Sequence, residues 1–151
     1  MIGVISDTHG LVRPEVLEIL KGVDLIIHAG DIGGVEVLNA LEAIAPVKAV
    51  RGNNDSDSWA DHVPQDQVIE YGIHLFYLLH ELEHLDFDPA SAEFSAVIYG
   101  HSHRPLAETK NNVLYLNPGS AGPRRFFLPI SIARLHIEKS RLTPELIDLS
   151  V

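Results

Sequence analysis

Short apolar runs rich in β-branched residues alternate with amphipathic stretches through the first third of the chain. Residues 2–6 and 25–29 read as buried strands, and residues 47–50 as a third. Between them, residues 14–20 carry Val16, Leu17 and Leu20 at helical spacing behind Pro14, and residues 35–44 repeat that spacing. This strand–helix order predicts a parallel sheet with right-handed crossovers and helix-covered faces. After residue 60 the pattern turns to strands. Residues 68–70 and 73–79 flank Tyr71-Gly72 as a hairpin, residues 96–99 form a buried strand, and residues 113–116 follow the turn signal Asn111-Asn112. Residues 130–137 and 142–149, around Lys139-Ser140-Arg141, predict a closing antiparallel pair. The expectation is an α/β fold with two packed sheets, residues 1–151 forming one domain.

Composition narrows this picture. A chain of 151 residues hides about 68–70% of its unfolded surface, enough for one core without staples. It has no Cys, so disulfides and thiolate-bound metals are excluded. No apolar run approaches the ~20 residues of a spanning helix. Residues 1–7 carry neither a basic segment nor a cleavage signal, so an unprocessed cytoplasmic protein without a membrane partner is expected. The net charge of −10 argues against extended nucleic acid as a partner. A small anionic substrate needs a local source of positive charge, and nine His in a Cys-free chain point to metal ions.

The polar residues that follow the predicted strands are Asp7-Thr8-His9, Gly30-Asp31, Gly52-Asn53-Asn54-Asp55, His80 and Gly100-His101-Ser102-His103. Ligands of open α/β sheets bind beyond the carboxyl ends of strands, so these segments deliver their side chains to one edge. In isolation each has a plainer reading: Asp7 or Asp31 as a helix cap, Asn53-Asn54-Asp55 as a polar turn. With Asn54 and Asp55 left to the turn, they supply two carboxylates, four imidazoles and one Asn carbonyl. That set exceeds one tetrahedral zinc and suits two divalent ions sharing a carboxylate. Two such ions less Asp7 and Asp31 leave a charge that one hydroxide and one phosphodiester monoanion neutralise. Ions about 3.5–4 Å apart hold a hydroxide as nucleophile and clamp phosphoryl oxygens, so the chemistry expected is phosphoester hydrolysis.

In this order, D-x-H, G-D, G-N-x-D, a lone His and G-H-x-H resemble the calcineurin-like metallophosphoesterase superfamily. Asn117-Pro118-Gly119-Ser120 with Pro123-Arg124 resembles its small prokaryotic phosphodiesterase branch, related to the retromer scaffold subunit. The resemblance implies two mixed sheets between helical layers. It implies one ion held by Asp7, His9, Asp31 and His103, and a second by Asp31, Asn53, His80 and His101. Manganese is the expected metal, with zinc, nickel, iron and magnesium as alternatives.

Two positions depart from the family pattern. Asn54 stands where many members have His and this branch often has Cys, and Glu81 follows His80 where Gly is usual. Asn54 cannot donate a proton catalytically, but its amide can bond a phosphoryl oxygen. Asp55 is expected to orient its neighbours, and Arg124 or Arg104 to reach phosphate. His28, His62, His74, His84 and His136 carry no motif, although Glu81 and His84 at i, i+3 would share a helix face near His80. Phe126, Phe127 and Trp59 read first as packing residues. The function expected is a phosphodiesterase for a small phosphodiester. A phosphomonoesterase and a non-catalytic metal-binding scaffold are the rivals, and a homo-oligomer is left open.

Overall fold

The protein is described here by a computed structural model covering residues 1–151. Sheet A contains β1 (Ile2–Ile5), β2 (Leu25–His28), β3 (Val47–Ala49), β9 (Ser131–Glu138) and β10 (Arg141–Asp148). Its order is β10-β9-β1-β2-β3, with β1, β2 and β3 parallel and the last two strands antiparallel. Sheet B contains β4 (Asp66–Tyr71), β5 (His74–Leu79), β6 (Ala96–Ile98), β7 (Leu106–Lys110) and β8 (Val113–Asn117). Its order is β4-β5-β6-β8-β7, with β5, β6 and β8 parallel between antiparallel edges.

Alternation along each strand sorts side chains between two layers. Ile2, Val4, Leu25 and Ile27 meet Phe76, Leu78, Ile98 and Leu116 in the core between the sheets. Ile5, Ile26 and Ile132 take the opposite face of sheet A. There α1 (Pro14–Ile19) and α2 (Val35–Glu42) cover them with Val16, Val37 and Leu41. Each fully buried aliphatic side chain of this kind contributes about 1.5–3 kcal/mol. On the outer face of sheet B, Leu79, Val97, Tyr99 and Val113 lie under Leu82, Leu85 and Ala90. That cover is a single 3-10 turn, Leu82–His84, and the loop beyond it, so α-helices flank only sheet A.

The strand β7 was not visible in the pattern, because all five of its residues are exposed. Its pairing with β8 follows from Asn111 and Asn112, both at positive φ (51 and 64), the arrangement of a two-residue type I′ hairpin turn. No helix is long and apolar enough to cross a membrane.

Candidate metal centre

The ligand candidates sit on loops that leave β1, β2, β3, β5 and β6. Past their last paired residues, β1 and β2 stay joined: Asp7 N–H donates to Gly30 O at 2.9 Å, His9 N–H to Asp31 O at 2.9 Å, and Gly10 N–H to Ile32 O at 2.8 Å. Asp7, His9, Asp31, His101 and His103 all adopt left-handed backbone, with φ of 57, 48, 54, 74 and 63. Non-glycine residues rarely do so, and five in one site mark a constellation held by its surroundings. Two glycines make room for it. A Cβ at Gly52 would collide with Asp31 Oδ1, and one at Gly100 would lie 2.8 Å from Asp7 Oδ2.

The side chains converge. Asp7 is fully buried; its Oδ2 accepts from Ser6 Oγ at 2.6 Å and from His101 N–H at 3.1 Å. Its Oδ1 has no hydrogen-bond partner and lies 3.4 Å from His103 Nε2 and 3.8 Å from both His9 Nε2 and His80 Nε2. Asp31 Oδ2 lies 3.3 Å from His80 Nε2 and 3.7 Å from His9 Nε2. Three groups of possible ligands form, Asp7–His9–His103, Asp31–His80–His101 and, sharing His101 with the second, Glu81–Glu83–His101.

These residues fit bound divalent metal on four counts. Donors bound at about 2.1 Å to one ion stand roughly 3.0–3.4 Å apart, close to the observed spacings. The buried Nε2 atoms of His9 and His80 lack hydrogen-bond partners, as does Asp7 Oδ1. His80 donates Nδ1–H to Ala29 O at 2.8 Å, which leaves Nε2 with a free lone pair, the usual support for a ligating imidazole. No Lys or Arg pairs with either buried carboxylate. Burial opposes ionisation of Asp7, but the nearby imidazoles of His103 and His80 and the bond from Ser6 hold its carboxyl below the usual range. Burial also opposes Asp31, and His80 with Asn54 outweighs it, placing that carboxyl well below the usual range. Burial disfavours a charged His80, yet Asp31 and Asp7 lift its imidazole above 6.5.

The other expected residues divide. Asn53 is exposed and lines a cavity beside His80. Asn54 gives its backbone N–H to Asp31 Oδ1 and one amide N–H to Asp31 Oδ2. Asp55 accepts from the backbone N–H groups of Ile32, Gly33 and Gly52 at 2.9–3.0 Å, tying the Asp31 loop to its own turn. Arg124 donates to the carbonyls of Leu128 and Val151. Asp31 does not cap α2, whose N-cap is Gly34. Glu81 precedes the 3-10 turn and lies 3.4 Å from His101 Nε2 and 3.7 Å from His84 Nδ1.

One support, His28 with Thr8, escaped the pattern. His28, fully buried at the end of β2, accepts Gly30 N–H on Nδ1 at 3.1 Å, so Nε2–H donates to Thr8 Oγ1 at 3.0 Å. Thr8 Oγ1–H in turn donates to Ile32 O at 2.7 Å. Burial pushes His28 down to about 4, so it is neutral and braces the Asp7 loop against the Asp31 loop. Its only trace in the sequence is a polar residue closing an apolar run. Asn117 and Ser120 do similar work: Asn117 Nδ2 donates to Gly100 O at 3.1 Å, and Ser120 Oγ to Asp7 O at 3.1 Å.

Residues 1–140 match the calcineurin-like phosphoesterase superfamily domain, and the chain belongs to that superfamily. A probable metallophosphoesterase of Methanothermobacter thermautotrophicus is 33% identical, across 97% of this chain and 91% of its own. The phosphodiesterase YfcE of Escherichia coli (strain K12) is 32% identical over 76% of each chain. The Vps29 structure of Chaetomium thermophilum superposes with a TM-score of 0.78 over 98% of this chain and 96% of its own; at 17% identity it speaks to the fold alone.

Proposed function

We propose that residues 1–151 act as one domain, a cytoplasmic two-metal phosphodiesterase for a small phosphodiester. The observation that carries this reading is the reach of Asp31 Oδ2 toward both His80, at 3.3 Å, and His9, at 3.7 Å, as a shared carboxylate would. One ion is assigned to Asp7, His9, Asp31 and His103, the other to Asp31, Asn53, His80 and His101. When bound, a pair of divalent ions, manganese by preference, supplies an activated water and positive charge against the phosphoryl oxygens.

The chain's own residues hold this arrangement. Asn54 fixes the orientation of Asp31 and keeps one amide N–H for a phosphoryl oxygen. Asp55 fixes the loop that carries Asp31. Ser6 and His101 N–H fix Asp7, leaving Oδ1 free. Asn54 offers no acidic proton, so the leaving oxygen departs without a strong protein acid at that position. Arg124, whose exposed side chain donates to the carbonyls of Leu128 and Val151, is assigned a phosphate contact for which it would exchange those bonds. A diester is favoured because the charge left by two ions and two carboxylates is balanced by hydroxide and a monoanion.

The test is elemental analysis of the purified protein with turnover of bis-p-nitrophenyl phosphate and p-nitrophenyl phosphate, with and without Mn²⁺. Two ions per chain and metal-dependent turnover that favours the diester are expected. Turnover indifferent to chelator, or none with both ions bound, overturns the reading.

A further inference from the structure

A cavity of about 350 Å³ opens beside His80 and Asn53, on the side assigned to the second ion. Among its ten lining residues is one permanent cation, Arg51, which follows β3 and directly precedes Gly52. Its backbone is anchored, with N–H donating to Pro64 O at 2.8 Å. Its side chain is not: Nε is buried without a partner, and the guanidinium makes no hydrogen bond or ion pair within the chain. What sets it apart from the chain's other cations without a carboxylate partner is its place in the cavity wall beside His80.

The cavity's own acids are engaged elsewhere. Asp66 Oδ2 accepts the Tyr77 hydroxyl at 2.6 Å. Glu81 turns its two oxygens to His101, at 3.4 Å, and His84, at 3.7 Å. Two carboxylates thus line the same space as Arg51 without neutralising it. A half-buried guanidinium whose Nε lacks a partner and whose terminal donors bond to no protein group is a ready fork for an oxyanion, and carboxylate or phosphate fills it with paired hydrogen bonds.

We propose that this cavity is a substrate subsite and that Arg51 receives a second oxyanion there, so the preferred substrate is a phosphodiester with a carboxylate or phosphate on one ester arm. The proposal rests on the phosphodiesterase reading for the position of the scissile group. Asp66 and Glu81 add selectivity, because they repel an anionic arm seated anywhere but against Arg51. Gln65 and Tyr77 supply polar atoms to the arm's length, so a purely hydrocarbon arm gains little.

The experiment compares p-nitrophenyl phosphodiesters whose other arm is propyl, 2-carboxyethyl or 2-phosphonoethyl; the leaving group is then constant. The readout is the ratio of kcat/KM between anionic and neutral arms within each protein. Wild type is expected to favour an anionic arm by about tenfold or more, the scale of one charge-assisted hydrogen-bonded contact. Arg51→Met should abolish the ratio, and Arg51→Lys should keep part of it. The 2-carboxyethyl and 2-phosphonoethyl arms tell the two oxyanions apart. A second readout needs no turnover: calorimetric binding of 3-phosphonopropionate against propylphosphonate to the Mn²⁺-loaded protein, in wild type and Arg51→Met. A preference for 3-phosphonopropionate over propylphosphonate that Arg51→Met removes supports the subsite even if no ester is hydrolysed, in which case the phosphodiesterase reading alone fails. No preference in wild type, or one that survives Arg51→Met, overturns the subsite.

Discussion

Asn54 holds Asp31 by both oxygens, its backbone N–H donating to Oδ1 at 3.0 Å and its amide to Oδ2 at 3.1 Å. The oxygen that approaches two histidines is thus the one held by a side chain. Asn54→Ala should free it while the backbone bond keeps Oδ1 in place. Affinity for the second ion should fall about 10-fold, the lower end for loss of a bond to a metal ligand. Mn²⁺ titration monitored by calorimetry measures this. Unchanged affinity would mean that the amide bond is incidental.

Asp31→Asn should remove both ions, with a loss of at least about 100-fold in metal affinity and turnover below detection. A neutral amide supplies no charge, and its NH₂ would compete for Asn54 with the wrong polarity. Asp7→Asn should deplete chiefly the ion assigned to His9 and His103. Two ions per chain in Asp31→Asn, by elemental analysis, would contradict the shared carboxylate.

With no proton donor at position 54, the rate should depend steeply on the leaving oxygen's ability to carry charge. Aryl diesters should outpace alkyl diesters by a wide margin. Asn54→His should flatten that dependence, since a general acid contributes about 10²–10⁴-fold and most for poor leaving groups. It should also bring a basic limb to the pH profile as the imidazolium is lost. Metal stoichiometry must be followed, because the substitution also removes the bond to Asp31. A flat leaving-group dependence in wild type, with chemistry limiting, would point to a donor elsewhere, Glu81 or His84 first.

His28 sets the pH dependence of the metal-free fold on the acid side. Its imidazole is pushed down to about 4, so between about 4 and 6.5 the unfolded chain binds a proton that the folded chain refuses. Stability should therefore rise with pH across that window, by up to about 3 kcal/mol. His80 acts with opposite sign: raised above 6.5, its contribution is complete below that value and is lost as pH climbs through its folded value. Urea unfolding in chelator should show maximal stability near pH 6.5, and His28→Asn should flatten the acid limb. An acid limb unchanged in that variant would assign the slope to other groups.

Much of this was legible because the chemistry follows short apolar runs. Asp7, Asp31 and His101 each come within three residues of a strand end, and a polar residue after a buried run is a local signal. β7 gave none, since Leu106–Lys110 has no buried face and is held by its partner strand and turn. The helix layer expected over sheet B depends on how little a 3-10 turn and loop need to cover. The bonds from Asn54 to Asp31 and from His28 to Thr8 join residues at least 20 apart, and no periodicity encodes them.

The left-handed residues at the site have a consequence for descent. A chain that needed only to fold would gain by placing Gly at Asp7, His9, Asp31, His101 and His103, where φ runs from 48 to 74. Side chains bearing carboxylate and imidazole persist there against that gain. A lineage that gave up the chemistry and kept the shape would find its cheapest route to a sturdier protein at these five positions. Such a descendant should erode from the site outward, its sheets outlasting its ligands.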